Sequence, residues 1–266
     1  MTAVRLGSVT YLNARPFVVG LEHDPHFRLR FDIPSKCAAL LHEGAIDAGL
    51  IPSIEYLRQP SGSQEYRIVP GVAIVSQGPV ASVAIYTTRP IPDVRSIAMD
   101  TSSRTSVALT RVLCARAFHI DPHFEPSGPD LPRMLERADA ALLIGDSALL
   151  SEGRKDVEKV DLGEVWTRTT GLPFVYAFWA GQADALTAED VQALQQARDA
   201  GAAQPDRVAN EYFVDPALQL IGSRYLRDNI KYYLGERERA GLEMFYKYAS
   251  EIGLVPSAGT IRFFPE

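Results

Sequence analysis

The length, composition and charge of this chain exclude several classes of protein. Its 266 residues suffice for one large domain or two lobes of ordinary size, and the 46% hydrophobic and 23% charged content is typical of a globular fold. The net charge is -6 and the basic residues form no continuous stripe, so we expect no nucleic-acid partner.

Targeting signals and cysteine usage both predict a cytoplasmic protein. The sequence begins MTAVRLGSVTYLN, without a basic region followed by an apolar stretch and a cleavage site. No window approaches the roughly 18 consecutive apolar residues that a membrane-spanning helix needs, so no membrane association is expected. Cys37 and Cys114 have no metal-ligand spacing, and we expect buried free thiols in a reducing compartment.

Short apolar runs alternate with amphipathic stretches in the first part of the chain. The predicted order is strand, helix, strand, helix and strand, in the segments VRLGSVTY, ARPFVVGLE, FRLRFDIP, CAALLHEGA and DAGLIPS. This alternation predicts a mainly parallel sheet covered by helices, with functional groups collected at the carboxyl ends of the strands. Asn13, Pro52 and Ser53 fall at such ends.

A second α/β unit follows the turn RPIPDV. SIAMD and AALLIGD are predicted strands on either side of helices, LPFVYAFWAG is a further strand, and the rest is almost wholly helical. We therefore predict an α/β fold of two lobes, joined by two crossover strands, with a ligand cleft between them. Lobe 1 comprises residues 1–87 and 181–266, and lobe 2 comprises residues 88–180.

The segment MDTSSRTSVALTRVL combines a strand end with a helix start rich in hydroxyl groups. The first turn of a helix presents unpaired N–H groups, and Ser or Thr side chains there bind an anionic ligand or cap the helix. Thr105 and Ser106 are the candidates for binding, and a purely structural N-cap remains the alternative. Arg104 either assists the anion or is solvated.

Other polar residues are predicted near the same cleft. Asn13 follows the first strand, Ser82 lies on a strand near the crossover, and Gly145 and Asp146 end an apolar strand. Each has a structural alternative: a turn or cap role for Asn13 and Asp146, and an ordinary strand position for Ser82.

Motifs for standard catalysis are absent from the sequence. It contains no G-x-S-x-G elbow, no H-E-x-x-H, no Walker A loop and no G-x-G-x-x-G after the first strand. The histidines fall at polar helix ends or in loops, where we expect solvated surface positions; they are His23, His26, His42, His119 and His123. We predict no metal site.

Taken together, six segments are similar to successive motifs of the chorismate dehydratases of the futalosine route to menaquinone. The resemblance covers residues 5 to 180, and its most specific part runs from the IGD strand to the TGLPFVYA strand. The segments are GSVTYLNARP, GAIDAGLIPSIEY, GPVASVAIY, DTSSRTSVALTRVL, DAALLIGDSAL and DLGEVWTRTTGLPFVYAFWA.

This resemblance implies a periplasmic-binding-protein-like fold of type II and a hydro-lyase that converts chorismate to 3-enolpyruvylbenzoate without a cofactor or metal. We hypothesise that the enolpyruvyl carboxylate of the substrate is the base, because no motif supplies a convincing one. The resemblance assigns catalysis to Asn13 and Ser82. It assigns substrate binding to Thr105, Ser106, Ser53, Pro52, Asp146 and Gly145.

Two alternatives share this architecture. The 1,4-dihydroxy-6-naphthoate synthases of the same pathway place a histidine base at the end of the second-lobe strand, where this chain has Gly145 and Asp146. The second alternative is a non-catalytic protein that binds small anions, such as a transport or sensor protein. It stays open because fold alone does not decide function. Closure of the lobes on the ligand is expected in either case.

Overall fold

The chain folds around two mixed β-sheets. The computed structural model describes residues 3–60, 65–151 and 156–265. Its strands are β1 (Val4–Val9), β2 (Phe27–Asp32), β3 (Ala48–Pro52), β4 (Tyr66–Ser76), β5 (Val83–Thr87), β6 (Ser96–Asp100), β7 (His123–Ser127), β8 (Ala140–Ile144), β9 (Glu158–Asp161) and β10 (Phe174–Gln182).

The two sheets have the same plan. The first has the strand order β2-β1-β3-β10-β4 and the second has the order β7-β6-β8-β5-β9. In each sheet the first three strands are parallel, as the alternation of strands and helices predicts, while the last two run antiparallel to their neighbours. The carboxyl ends of β1, β3, β6 and β8 consequently come together between the sheets.

The chain passes between the sheets through residues 77–82 and again through residues 162–173. The predicted lobe limits at residues 87 and 180 would assign β5 to the first lobe and most of β10 to the second. The pairing is the reverse, because β5 bonds to β8 and β9 while β10 bonds to β3 and β4. The structure therefore places β5 in the second sheet and β10 in the first, which corrects the predicted positions of these two strands. The division of the chain into two domains at particular residues stays a prediction.

Helices cover the sheets and form most of the last third of the chain. The segment 14–22, predicted as a helix, forms the 3₁₀ turns Leu12–Val18 and Leu21–His23, with Pro16 inside the first and Gly20 at a φ of 88° between them. The α-helices are α1 (Pro34–His42), α2 (Arg104–Leu113), α3 (Leu131–Leu135), α4 (Gly145–Leu149), α5 (Leu162–Thr170), α6 (Ala188–Ala202), α7 (Pro205–Tyr212), α8 (Pro216–Arg224) and α9 (Glu236–Glu251).

Large aromatic side chains on β10, α5 and α9 form the centre of the core. Trp166 packs edge-on against Phe174 and Phe245, and all three are fully buried. The last helix thereby anchors the returning strand of the first sheet. Cys37 and Cys114 are buried and unbridged, as predicted. Within residues 3–60, 65–151 and 156–265, no helix combines the length and apolar character that crossing a membrane requires.

Candidate functional site

A cavity lies between the two sheets, where the ends of their strands meet. It is bordered by strand ends, by the crossing segment 77–82 and by the start of α2. The residues that line it are Val9, Tyr11, Asn13, Pro34, Pro52, Ile74, Val80, Ser82, Val83, Ser103, Ser106, Ile144, Gly145, Tyr176 and Ala177.

The polar groups of this lining are neutral. In the part of the chain that the structure describes, the lining contains hydroxyls, phenols and one amide but no carboxylate, imidazole, ammonium or guanidinium group. Burial raises the pKa of Tyr11 and of Tyr176, so both phenols stay protonated at neutral pH. The lining therefore offers hydrogen-bond donors to a ligand but no side-chain base of ordinary strength.

Ser82 is the last residue of the crossing segment 77–82. Hydrogen bonds hold its own carbonyl group and the two amides that precede it. Its carbonyl oxygen accepts a hydrogen bond of 2.8 Å from the Gly145 amide of the second lobe. The amides just before it, Val80 and Ala81, donate to the carboxylate of Asp161 at 3.0 and 2.6 Å, and that carboxylate also caps α5. The buried Ser82 is thus held at the cavity by groups of the second lobe.

Asn13 lies in the 3₁₀ segment Leu12–Val18, and the other lobe fixes the start of that segment. Asp146 accepts a hydrogen bond of 3.2 Å from the Leu12 amide and another from the Tyr212 hydroxyl. Burial raises the pKa of Asp146, and these hydrogen bonds oppose the rise. Asp146 does not line the cavity; its carboxylate ties the segment that carries Asn13 to the second lobe.

The start of α2 presents hydroxyl groups to the cavity. Ser103 is the N-cap of this helix, and its oxygen accepts a hydrogen bond from the Ser106 amide at 3.4 Å. The hydroxyls of Ser103 and Ser106 lie 3.0 Å apart. Two hydroxyls and the positive end of a helix dipole favour a ligand with a carboxylate at this point.

Thr105 and Ser53 do not line the cavity, although both are fully buried. Their hydroxyl oxygens lie 3.3 Å apart, and the Ile54 amide donates to Thr105 Oγ1 at 3.1 Å. Glu55 and Arg104 form an ion pair of 2.5 Å beside them. We call the contacts of Ser53, Ile54 and Glu55 with Arg104 and Thr105 the interlobe seam.

Pro52 and Gly145 line the cavity from opposite lobes. Gly145 has a φ of 61°, and a β-carbon at this position would lie 3.0 Å from the ring of Tyr11. The hydroxyl of Tyr11 donates to Ser102 of the second lobe at 3.1 Å. The absent side chain of Gly145 therefore lets an aromatic ring of one lobe lie flat against the other.

We expect Gly145→Ala to lower both stability and turnover. The left-handed backbone costs an alanine about 1 kcal/mol, and the added methyl group displaces the Tyr11 ring from the cavity wall. Gly44→Ala is the matched control, because Gly44 has a φ of 68° with nothing near its β-carbon. Urea unfolding should show a larger loss for Gly145→Ala than for the control, and steady-state kinetics a several-fold fall in kcat/KM. Equal losses in the two variants would contradict the role of the Tyr11 contact.

The comparison with known families decides the classification of the chain. A family model described as menaquinone biosynthesis matches residues 4–251. The chain belongs to this family. The match runs well beyond residue 180, so the helical tail, to which the sequence motifs did not extend, is part of the menaquinone biosynthesis unit.

Two curated relatives agree with this family. The chorismate dehydratase of Thermus thermophilus is 30% identical over 98% of both chains. That of Campylobacter jejuni is 26% identical over 93% of this chain and 98% of its own. These relatives and the family match identify the chain as an enzyme.

Solved structures confirm the predicted fold class. A protein of Archaeoglobus fulgidus has a TM-score of 0.75 at 17% identity, covering 95% of this chain and 98% of its own. The periplasmic aliphatic sulphonate binding protein of Escherichia coli has a TM-score of 0.65 at 17% identity, covering 97% and 95%. At these identities the likeness shows a two-lobed, periplasmic-binding-protein-like fold and nothing about the ligand.

Several residues that shape the site were not among the predicted ones. Tyr11 and Tyr176 line the cavity, and Tyr225 donates a hydrogen bond to Ser82 from the helical tail. His42 was expected on the surface, but it is largely buried, stacks on Tyr66 and lies 3.3 Å from Glu55. A glutamate in the middle of an apolar stretch, as in IPSIEYL, was the sequence signal for a buried charge cluster.

Proposed function

We propose that this enzyme is a chorismate dehydratase, a hydro-lyase that removes water from chorismate to give 3-enolpyruvylbenzoate in menaquinone biosynthesis. The observation that carries the proposal is a cavity with hydrogen-bond donors and a helix start but no charged side chain in its described lining, in a chain related to enzymes of that name. Chorismate carries two carboxylates, which accept hydrogen bonds, so a lining of neutral hydrogen-bond donors is suited to bind it.

The proposed reaction needs no oxidant, reductant or cofactor. The hydrogen on the ring carbon that bears the enolpyruvyl ether leaves as a proton, and the electron pair enters the conjugated system of the ring carboxylate. The neighbouring hydroxyl is then expelled, water forms and the ring becomes aromatic. Aromatisation provides the driving force for this step.

The proposed base is the enolpyruvyl carboxylate of the substrate itself. The cavity lining supports this, because its described residues include no carboxylate or imidazole that would accept a proton near neutral pH. The contribution of the protein is then to hold the carboxylate against the ring proton and to stabilise the developing dienolate with preorganised donors. Asn13 and Ser82 are the proposed catalytic donors.

The remaining assignments divide between contact and support. Ser106, Pro52 and Gly145 line the cavity and are proposed substrate contacts, together with Ser103. The other three predicted binding residues act through the protein: Ser53 and Thr105 through the interlobe seam, and Asp146 through the Leu12 amide. We further propose that chorismate is the small-molecule partner, with no nucleic acid or membrane involved. We also propose that the enzyme acts in the cytoplasm, which agrees with its two unbridged cysteines.

The test is to incubate metal-stripped protein with chorismate and to follow the products by chromatography and ultraviolet absorbance. Formation of 3-enolpyruvylbenzoate without added cofactor is the expected result. Binding of chorismate without turnover would support the anion-binding alternative, and absence of binding would favour the sister enzyme that makes 1,4-dihydroxy-6-naphthoate. Either of these outcomes would overturn the proposal.

A further inference from the structure

Tyr225 lies directly behind the proposed catalytic serine. It is 2% exposed, and its hydroxyl donates a hydrogen bond of 2.7 Å to Ser82 Oγ. It comes from the helical tail, 143 residues further along the chain. The ring does not line the cavity, so Tyr225 contacts the site only through other side chains.

The direction of this hydrogen bond decides what Ser82 can do. A serine hydroxyl has one proton to donate and two lone pairs that accept. Because the Tyr225 proton occupies a lone pair of Ser82, the serine proton is left to point elsewhere, and the cavity is the open direction. Tyr225 thereby makes Ser82 a donor toward the ligand rather than an acceptor.

Asn13 also lies close to this phenol. Burial raises the pKa of Tyr225, and hydrogen bonds with Ser82 and Asn13 oppose that rise. The phenol therefore stays protonated at neutral pH and remains a donor. One buried hydroxyl consequently connects the two side chains that are proposed to contact the substrate.

Hydrogen bonds hold the chain that follows Tyr225 to the crossing segment 77–82 and to the end of β4. Tyr225 begins a π-helical turn, Tyr225–Asn229, at the end of α8, a distortion that is common at functional sites. The side-chain amide Nδ2 of Asn229 donates to Pro79 O at 2.9 Å, and Lys231 exchanges backbone hydrogen bonds of 2.8 and 2.9 Å with Val75 of β4. The turn therefore has little freedom to move relative to Ser82.

We propose that Tyr225 is a positioning residue for the elimination: its hydroxyl fixes the Ser82 proton toward the cavity. This inference rests on the proposed function of the site. It predicts that the hydroxyl of Tyr225, rather than its ring, is what turnover requires, and that the requirement passes through Ser82.

Tyr225→Phe is the direct test, because it keeps the buried ring and removes the hydroxyl. We expect kcat for chorismate to fall about tenfold with KM changed less than about threefold, since the ligand contacts remain while the donor direction is lost. Tyr86→Phe is the matched control: Tyr86 is also a buried tyrosine, but its hydroxyl donates to Ala148 O at 2.9 Å within the second lobe. It should leave kcat within about twofold.

A double-mutant cycle with Ser82→Ala distinguishes a role of Tyr225 that acts through Ser82 from a general loss of structure. If Tyr225 acts through Ser82, adding Tyr225→Phe to Ser82→Ala should change kcat by less than about twofold. Wild-type kcat retained in Tyr225→Phe, or a full tenfold loss in the Ser82→Ala background, would overturn the inference. Absence of turnover by the wild-type protein in the same assay would instead be the failure of the proposed function.

Discussion

Replacing Ser82 with alanine is expected to lower kcat/KM for chorismate by about a hundredfold. Removing one preorganised donor to a developing anion typically costs 10²–10³ in rate, roughly 3 kcal/mol, because the cavity excludes the water that would replace it. The hydroxyl is 1% exposed, and its position is fixed by the Gly145 and Tyr225 hydrogen bonds. Most of the loss should appear in kcat, since the donor acts most strongly on the transition state.

Steady-state kinetics with purified variants measures this effect, and Ser8→Ala is its control. Ser8 is also a fully buried serine of the first lobe, but its hydroxyl has no hydrogen-bond partner among the described residues. Removing it should leave kcat/KM within about twofold. Asn13→Ala should resemble Ser82→Ala. A fall of less than about tenfold in either of these two variants, roughly 1.4 kcal/mol, would contradict its assignment as a catalytic donor.

The parallel part of each sheet could be predicted from the sequence, and the antiparallel part could not. Alternation of apolar runs with amphipathic stretches indicated β1, β3, β6 and β8, and hence which chain segments meet between the lobes. The exchange of β5 and β10 depends on pairing between residues 53 to 133 positions apart, from Thr87 with Ala140 to Ala48 with Gly181. Local periodicity carries no information about that pairing.

The hydroxyl-rich start of α2 illustrates where the site prediction succeeded and where it failed. A helix start after a strand end indicated an anion-binding position, and Ser106 does line the cavity. Thr105, its neighbour, turns its hydroxyl to Ser53 and the Ile54 amide across the interlobe seam. Sequence shows which residues have hydroxyl groups, but tertiary packing decides the partner of each.

Tyr225 shows why part of the site was missed altogether. The tail had no motif by which to judge it, and a tyrosine in an amphipathic helix is ordinarily a core residue. A π-helical turn has no sequence signature, yet it aims this phenol at Ser82. The family match covers residues 4–251, so it includes the tail in the functional unit.

Glu55→Ala is expected to produce the largest loss of stability. Glu55 is 1% exposed and contacts Arg104, Arg58 and His42 at 2.5, 3.0 and 3.3 Å. Removing one member of a buried ion cluster leaves its partners uncompensated, which typically costs 3–5 kcal/mol. Because Arg104 is 40% exposed and Arg58 36% exposed, water offsets part of this cost. We expect a loss of about 2 to 3 kcal/mol.

Urea unfolding at neutral pH measures this loss, with Glu251→Ala as the control. Glu251 also pairs with an arginine, Arg116, at 2.5 Å, but both side chains are 39% exposed. An exposed ion pair contributes about 0 to 1 kcal/mol, so the control should change the free energy of unfolding little. Similar losses in the two variants would show that the interlobe seam does not depend on Glu55.

The pH dependence gives the same prediction a second test. Burial alone would raise the pKa of Glu55, but the hydrogen bond from His42 and the charges of Arg104 and Arg58 lower it below its usual 4.5. A carboxyl whose pKa is lower in the folded state stabilises the fold above its unfolded pKa, and this contribution is lost as pH falls through the folded pKa. The difference in unfolding free energy between wild type and Glu55→Ala should therefore be constant from about pH 7 to 5.5 and shrink below about pH 4.5. A difference that grows on acidification would mean that Glu55 is protonated in the folded protein, and the seam would then be held by its hydroxyl contacts rather than by charge.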